Sequence, residues 1–291
     1  MNETVYINGR IVPASEARVS VFDAGFTHAA GLFETMFACN GRILWFSDHI
    51  ERMLSSARAL DMPITMDVDA VKRGALELLA ANALSEARMR ITVTAGRVPR
   101  PGEEAPAPPE PTIVITASPA ETYATDLYKH GMRVCICPYK QSRFNPLAGH
   151  KTLAYLPRLL AMREAAKRRC NEALWFNTEN QLAEGSVCNV FTVLKGTLIT
   201  PPLDTPVLPG TVRKSVLELA KRNGIRTEER GIIIDDLLAS EEVFLTGSIM
   251  RIMPVTAIEK HEVGSGKPGE VTKRLSDLYA ESMTEECGRD E

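Results

Sequence analysis

Two short stretches carry side chains whose types and spacing suit covalent chemistry. His150-Lys151-Thr152 sets a lysine in a loop just before a helical pattern, Tyr155-Leu-Pro-Arg-Leu-Leu-Ala-Met-Arg-Glu-Ala-Ala, which Pro157 opens near its first turn. Further on, Ala183-Glu184-Gly185-Ser186-Val187-Cys188-Asn189-Val190-Phe191 places a carboxylate in a turn between two apolar strand segments. A lysine amine can hold an aldehyde cofactor as a Schiff base, and a carboxylate can pair with a protonated pyridine nitrogen. Taken singly, Lys151 also reads as surface charge and Glu184 as a turn acid. Asn189 reads equally as a hydrogen-bonding support to such a site or as a turn-stabilising asparagine.

Three further sets of donors suit a phosphate dianion. Arg52 lies on a helical stretch, Gly210-Thr211-Val212 opens a helix where free N–H groups and the positive dipole end face outward, and Gly247-Ser248-Ile249 follows a strand with small residues and a hydroxyl. On the strand Arg88-Met89-Arg90-Ile91-Thr92-Val93, a period of two puts Arg88, Arg90 and Thr92 on one face. Two arginines facing a pocket would favour an acidic substrate through forked carboxylate pairs; the alternative is a solvated strand face.

DHIERM (48–53), HKTLAYLPRLLAMREA (150–165), LAEGSVCNVF (182–191), VLPGTVRKSV (207–216) and FLTGSIMRIMPV (244–255) occur in the order found in class IV aminotransferases, and from about Tyr6 to about Val255 the chain resembles that family. The family includes branched-chain and D-amino acid aminotransferases and aminodeoxychorismate lyases. The resemblance implies an α/β (α+β) chain of the two-domain D-aminotransferase-like fold type IV, with a smaller N-terminal domain and a larger C-terminal pseudo-barrel domain. It implies pyridoxal 5′-phosphate as cofactor, with Lys151 as the catalytic lysine and Glu184 on the ring nitrogen. Arg52, Asn189, Thr211, Val212, Ser248 and Tyr155 would complete the cofactor site; Arg88, Arg90, Arg100, Phe33 and Ile249 would face the substrate. It also implies a homodimer.

The chain departs from each subfamily pattern. Arg90 matches the arginine of the branched-chain enzymes, but Arg88 stands where they carry tyrosine. Arg100 fits the carboxylate-trapping arginine of the D-amino acid enzymes, but Gly102 replaces the histidine that follows it. Tyr155 is displaced by one residue from the branched-chain tyrosine, and AGFTHAAGLFET departs from the commoner FxxGDGxFE pattern. The expected function is therefore a ping-pong aminotransferase acting on amino acids and 2-oxo acids, branched-chain or D-, with glutamate/2-oxoglutarate as one pair. The alternatives are a lyase that turns aminodeoxychorismate into 4-aminobenzoate and pyruvate, and a fold relative that no longer catalyses.

The elements that must position these residues are legible in part. Asn8-Gly9 and Asn40-Gly41 mark tight hairpins. Asp48-His-Ile-Glu51 resembles a capping box, followed by Ile50, Met53, Leu54, Ala57 and Leu60 at helical spacing. A second helix is predicted over 68–81, strands over 88–95 and 112–117, and between those strands a proline-rich loop, 98–111, readable as a solvated loop or a lid. The C-terminal half predicts strands over 133–137, 172–177, 187–194, 197–200 and 242–245. Helices are predicted from Gly210 to about Asn223-Gly224 and over 271–283. Domains are expected at 1–118 and 132–291, with a connector at 119–131.

The 291 residues suffice for one large or two modest domains. With 44% hydrophobic residues and a net charge of −3, nothing favours a nucleic acid or an anionic membrane. No signal-like start or bilayer-length apolar run is present, so the expected setting is cytoplasmic. The six cysteines show no metal-ligand spacing and are expected as free thiols, Cys135 and Cys137 on one face of a buried strand; no metal is expected.

Overall fold

A computed structural model describes residues 3–97, 102, 103, 110–121 and 123–288. Arg100 and most of the proline-rich 98–111 segment lie outside the described residues. The chain divides into two units: Met1–Glu121 with His150–Ala154 and Glu286–Glu291, and Thr122–Gly149 with Tyr155–Glu285. His150–Ala154, which a linear division assigns to the C-terminal half, thus groups with the N-terminal sheet.

The first unit begins with a hairpin of β1 (Thr4–Ile7) and β2 (Arg10–Pro13). Its turn uses the positive φ of Asn8 and Gly9 (46° and 87°), as the Asn-Gly signal requires. A short helix, α1 (Ala24–His28), leads to β3 (Gly31–Cys39) and β4 (Arg42–Ile43), joined at Asn40-Gly41. Helix α2 (Phe46–Ala59) starts two residues before the expected capping box, at Trp45 in the left-handed region, so Asp48 lies in the first turn and is not its cap. Helix α3 (Val68–Ala81) is capped by Asp67, which accepts from Ala70 N at 3.0 Å, and β5 (Glu86–Thr94) and β6 (Ile113–Pro119) complete an antiparallel sheet in the order β2-β1-β6-β5-β3-β4.

Strand alternation sorts this sheet into two faces. Leu32, Met36 and Ala38 of β3 and Ala87, Met89, Ile91 and Val93 of β5 bury against Ile50, Met53, Ala57, Ala75 and Leu78 of α2 and α3. The register Phe33↔Thr92, Thr35↔Arg90, Phe37↔Arg88 assigns the other residues to the opposite face. Arg88, Arg90 and Thr92 therefore share a face, as the spacing predicts.

The second unit is built on nine strands. It opens with α4 (Thr125–His130), inside the segment expected as a plain connector, then β7 (Met132–Gln141), α5 (Leu156–Lys167), β8 (Glu172–Asn177), β9 (Leu182–Gly185), β10 (Asn189–Leu194) and β11 (Thr197–Thr200). Next come α6 (Thr211–Arg222), β12 (Thr227–Glu229), α7 (Ile234–Leu238), β13 (Glu242–Gly247), β14 (Arg251–Ile258), β15 (His261–Glu262) and α8 (Glu270–Gly288). The strand order is β12-β11-β10-β13-β14-β7-β8-β9, with β15 on β14. Parallel pairing of β7 and β8 needs a crossover, which α5 supplies by packing Ala161 and Ala165 on Cys135, Cys137, Ala173 and Trp175. Every residue of β8 is buried, the unbroken pattern of a strand covered on both faces.

Cys135, Cys137, Cys170 and Cys188 are free, but Cys39 and Cys287 are joined in a disulfide with Cα atoms 5.8 Å apart, which corrects the expectation of six free thiols. A separation of 248 residues leaves no local sequence signal for such a pair. Among the described residues no helix is long and apolar enough to cross a membrane, and no cluster of metal-ligating side chains occurs.

Candidate active site

Lys151 is held by main-chain pairing to β3. Phe33 N donates to Lys151 O (3.0 Å), Leu153 N donates to Gly31 O (2.9 Å), and Leu32 bridges Thr152. A Cβ at Gly31 would stand 2.8 Å from the main-chain oxygen of Val93, which cannot swing aside, so glycine suits this position. The neighbouring His150 hydrogen-bonds Ser56 Oγ of α2 through Nδ1 at 2.9 Å. The lysine ammonium lies 4.4 Å from the centroid of the Phe33 ring, and the Arg90 guanidinium lies 3.7 Å from the same centroid. The lysine nitrogen and the guanidinium thus both lie against one aromatic ring, which brings the two groups to the same part of the sheet face. Arg90 Nε also donates to Thr92 Oγ1 (3.1 Å), while Arg88 is exposed further along the strand.

Arg52 faces a carboxylate that the sequence reading did not single out. Its Nε donates to Glu34 Oε1 at 2.8 Å and its Nη2 to Glu34 Oε2 at 2.5 Å, with Arg52 9% and Glu34 1% exposed. His49 Nδ1 lies 2.7 Å from Glu34 Oε2. Burial raises the Glu34 pKa, yet the charge of Arg52 and the bonds from His49 and Arg52 outweigh it and bring the group down to about 2. Burial, with the charges of Arg52 and Lys151, lowers the His49 pKa, so the ring is neutral and donates Nδ1–H to Glu34. Glu34 sits on the core-facing side of β3, where an acid breaks the apolar alternation; that break was the available signal.

In the second unit, Glu184 is the third residue of β9, so the carboxylate projects from a strand end and not from the turn itself. It is buried and gathers donors from two elements and a loop. Arg158 of α5 pairs with Oε1, Leu208 N donates to Oε2 (2.9 Å), and Gln141 Nε2 of β7 lies 3.4 Å from Oε1. Asn189 Nδ2 donates to Leu208 O at 2.8 Å and Gln141 Nε2 to Pro206 O. Asn189 therefore braces the 206–210 segment that leads into α6. Glu172, the first residue of β8, accepts from Ser186 N (3.0 Å) and Ala173 N (2.8 Å) and fixes the turn after Glu184. Burial pushes its pKa up. Tyr155, the residue before α5, is raised to about 12 by burial.

Thr211 and Val212 open α6, whose N-terminus has no side-chain cap. Ser248 and Ile249 follow β13 and are half-buried. Next to them, Thr246 carries a buried hydroxyl without a hydrogen-bond partner. An uncapped helix start, a glycine-serine turn and an orphaned hydroxyl in one unit are the donor set that a phosphate ester needs, and Glu184 is the acceptor that a pyridinium needs. These residues fit pyridoxal phosphate.

The family model for amino-transferase class IV matches residues 31–258. A putative branched-chain-amino-acid aminotransferase of Methanocaldococcus jannaschii is 32% identical over 284 residues, covering 96% of each chain. A D-alanine aminotransferase of Bacillus licheniformis is 26% identical over 285 residues, covering 98% of this chain and 99% of its own. The crystal structure of the branched-chain aminotransferase of Thermobaculum terrenum in its PLP form superposes with a TM-score of 0.85 at 27% identity, covering 99% of this chain and 95% of that one.

Proposed function

Because the chain belongs to the class IV aminotransferase family, and is thus a pyridoxal phosphate-dependent aminotransferase of the two-domain α/β fold type IV, we propose that it exchanges an amino group between glutamate/2-oxoglutarate and a second amino acid, branched-chain or D-. The observation that carries the acidic partner is the placement of Arg90 and Lys151 on the one Phe33 ring. A guanidinium beside the reactive amine would receive a second carboxylate by a forked pair, with Arg88 adding positive charge along the strand. Arg100 is assigned to the substrate by resemblance alone. Nothing in the comparisons supports the lyase alternative; the relatives carry aminotransferase names.

Pyridoxal phosphate, when bound, supplies an aldehyde for the incoming amine and a ring that withdraws the charge left at the substrate α-carbon. Lys151 is the residue that would hold the cofactor through its aldehyde carbon, and its Nζ would serve as the base and acid that moves the proton at the substrate α-carbon. In the second unit Glu184 would accept the ring N–H, Tyr155 would orient the ring hydroxyl, Thr211 and Val212 N–H groups with Ser248 would bind phosphate, and Ile249 would border the substrate, while Asn189 holds the 206–210 segment. In the first unit Arg52 is carried to the phosphate, and Phe33 to the substrate, by the family resemblance.

The same reading includes a homodimer. In the first unit Phe26 is 74% exposed, with Val21 and Phe22 exposed beside it. In the second, Phe144 is 80% exposed and Leu156, Leu159 and Leu160 line the outside of α5. Exposed large apolar side chains are what a subunit contact would cover, and light scattering on the purified protein measures the outcome.

The deciding experiment is a half-reaction. Single donors (L-leucine, L-glutamate, D-alanine, D-glutamate) are added to the holoenzyme without acceptor while the cofactor's visible band is followed. Bleaching by L-glutamate and one further donor establishes the proposed pair and names its enantiomer. A band that glutamate of neither hand bleaches overturns the acidic partner.

A further inference from the structure

Arg158 is absent from every role assigned above, yet it makes the most extensive side-chain contacts around Glu184. It stands in the first turn of α5, three residues after Tyr155. Its Nη2 pairs with Glu184 Oε1 and lies 3.4 Å from Gln141 Oε1, and its Nη1 donates to Gly185 O at 2.9 Å. Its guanidinium carbon lies 4.8 Å from the centroid of the Trp175 ring, whose Nε1 donates to Ser186 Oγ (3.2 Å). The arginine therefore holds the carboxylate, the next main-chain carbonyl and, through the indole, the turn that follows.

A buried carboxylate without a counter-charge avoids its desolvation cost by taking up a proton. The titratable neighbours cannot supply that counter-charge. Burial raises Tyr155 to about 12 and Cys188 well above its ordinary value, so both are neutral near pH 7, and Glu172 brings no positive charge. Among the described residues that surround Glu184, Arg158 is the cation in contact with it. An arginine keeps that charge at every physiological pH.

We propose that Arg158 is the positioning residue for Glu184, supplying its counter-charge and fixing its aim so that the proton shared with the cofactor ring stays on the ring nitrogen. The proposal rests on the assignment of Glu184 to that nitrogen. With Arg158 removed, the Glu184 carboxylate would lose the positive charge it is paired with and would compete for the proton of a bound ring. A ring without that proton withdraws less charge from the nitrogen bound at its aldehyde carbon, which then keeps its own proton to higher pH.

The test compares the pH midpoint of the holoenzyme's visible band and the cofactor dissociation constant in wild type, Arg158→Met, Arg158→Lys, Glu184→Gln and the Arg158→Met/Glu184→Gln pair, with circular dichroism as the folding control. The expected result is that Arg158→Met and Glu184→Gln each raise the midpoint by about a unit. They should also weaken cofactor binding about tenfold. The pair should do no more than either alone, and Arg158→Lys should recover part of the shift. Should Arg158→Met not fold, Arg158→Gln, which can still bond Gly185, carries the same comparison. A wild-type midpoint in a folded Arg158 variant, beside a shifted midpoint in Glu184→Gln, overturns the proposal and leaves the Glu184 assignment standing. A wild-type midpoint in Glu184→Gln removes both.

Discussion

Arg52 spends two of its guanidinium nitrogens on Glu34, an acid on the core-facing side of the neighbouring strand, with bonds of 2.8 and 2.5 Å. The phosphate-binding role proposed for Arg52 therefore begins from a side chain whose direction is already set. A free arginine on a helix surface would lose that freedom on binding; this one has lost it on folding.

The pair predicts a specific acid limb. Glu34 has its pKa lowered from 4.5 to about 2, so its stabilisation is present above pH 4.5 and is lost as pH falls towards 2. The difference corresponds to on the order of 3 kcal/mol. His49 is also lowered, so the unfolded chain binds its proton first, and stability declines as pH drops below about 6.5. Glu34→Gln should abolish the lower step and cost about 3–5 kcal/mol at pH 7 by removing the negative charge that faces the buried Arg52 guanidinium. Denaturant titrations between pH 3 and 8 measure both; an unchanged acid limb in the variant would show that Glu34 is not the titrating group.

Lys151→Ala should leave the fold intact, because the hydrogen bonds that dock this segment on β3 run through the main chain. Turnover should fall by at least about a thousandfold and the visible band of the bound cofactor should disappear. Retained activity would refute the assignment of Lys151.

Arg90→Met tests acid recognition. Loss of one charge-assisted fork should raise the KM for 2-oxoglutarate about 10- to 100-fold while changing KM for a branched-chain 2-oxo acid far less. Because Arg90 is only half-buried, thermal stability should move little. Equal effects on both acceptors would mean that Arg90 acts on the shared carboxylate or on Phe33 and does not read the second acid.

The Cys39–Cys287 disulfide closes a loop of 248 residues. In the chain-entropy account such a loop is worth up to about 5 kcal/mol. Cys287→Ser, or a reductant, should lower Tm by several degrees, and the oxidised wild type should show two fewer free thiols than the reduced protein in a thiol titration under denaturing conditions. Equal thiol counts would show that the bond does not form.

The motif segments were legible because they are local. A lysine before a proline-opened helix, an acid before a glycine and a strand with arginines two apart are patterns within a few residues, and helix α3 matched its predicted bounds of 68–81 for the same reason. The N-cap of helix α2 lies three residues before Asp48, at Trp45 in the left-handed region, where a bulky residue is unexpected. Strand β14 follows the Gly247-Ser248 turn but shows little polar-apolar alternation, so periodicity does not mark it as a strand.

The sequence by itself determined the family and the two faces of β5, since periodicity and motif order are properties of a linear string; it also singled out Lys151 as the lysine to test. Only the tertiary structure decided what each charge meets. Glu34 finds Arg52 across 18 positions, Arg158 finds Glu184 across 26 and Cys39 finds Cys287 across 248. A buried charge must be paired, but the rule does not say with whom; the partner is chosen by which strands and helices come to lie side by side.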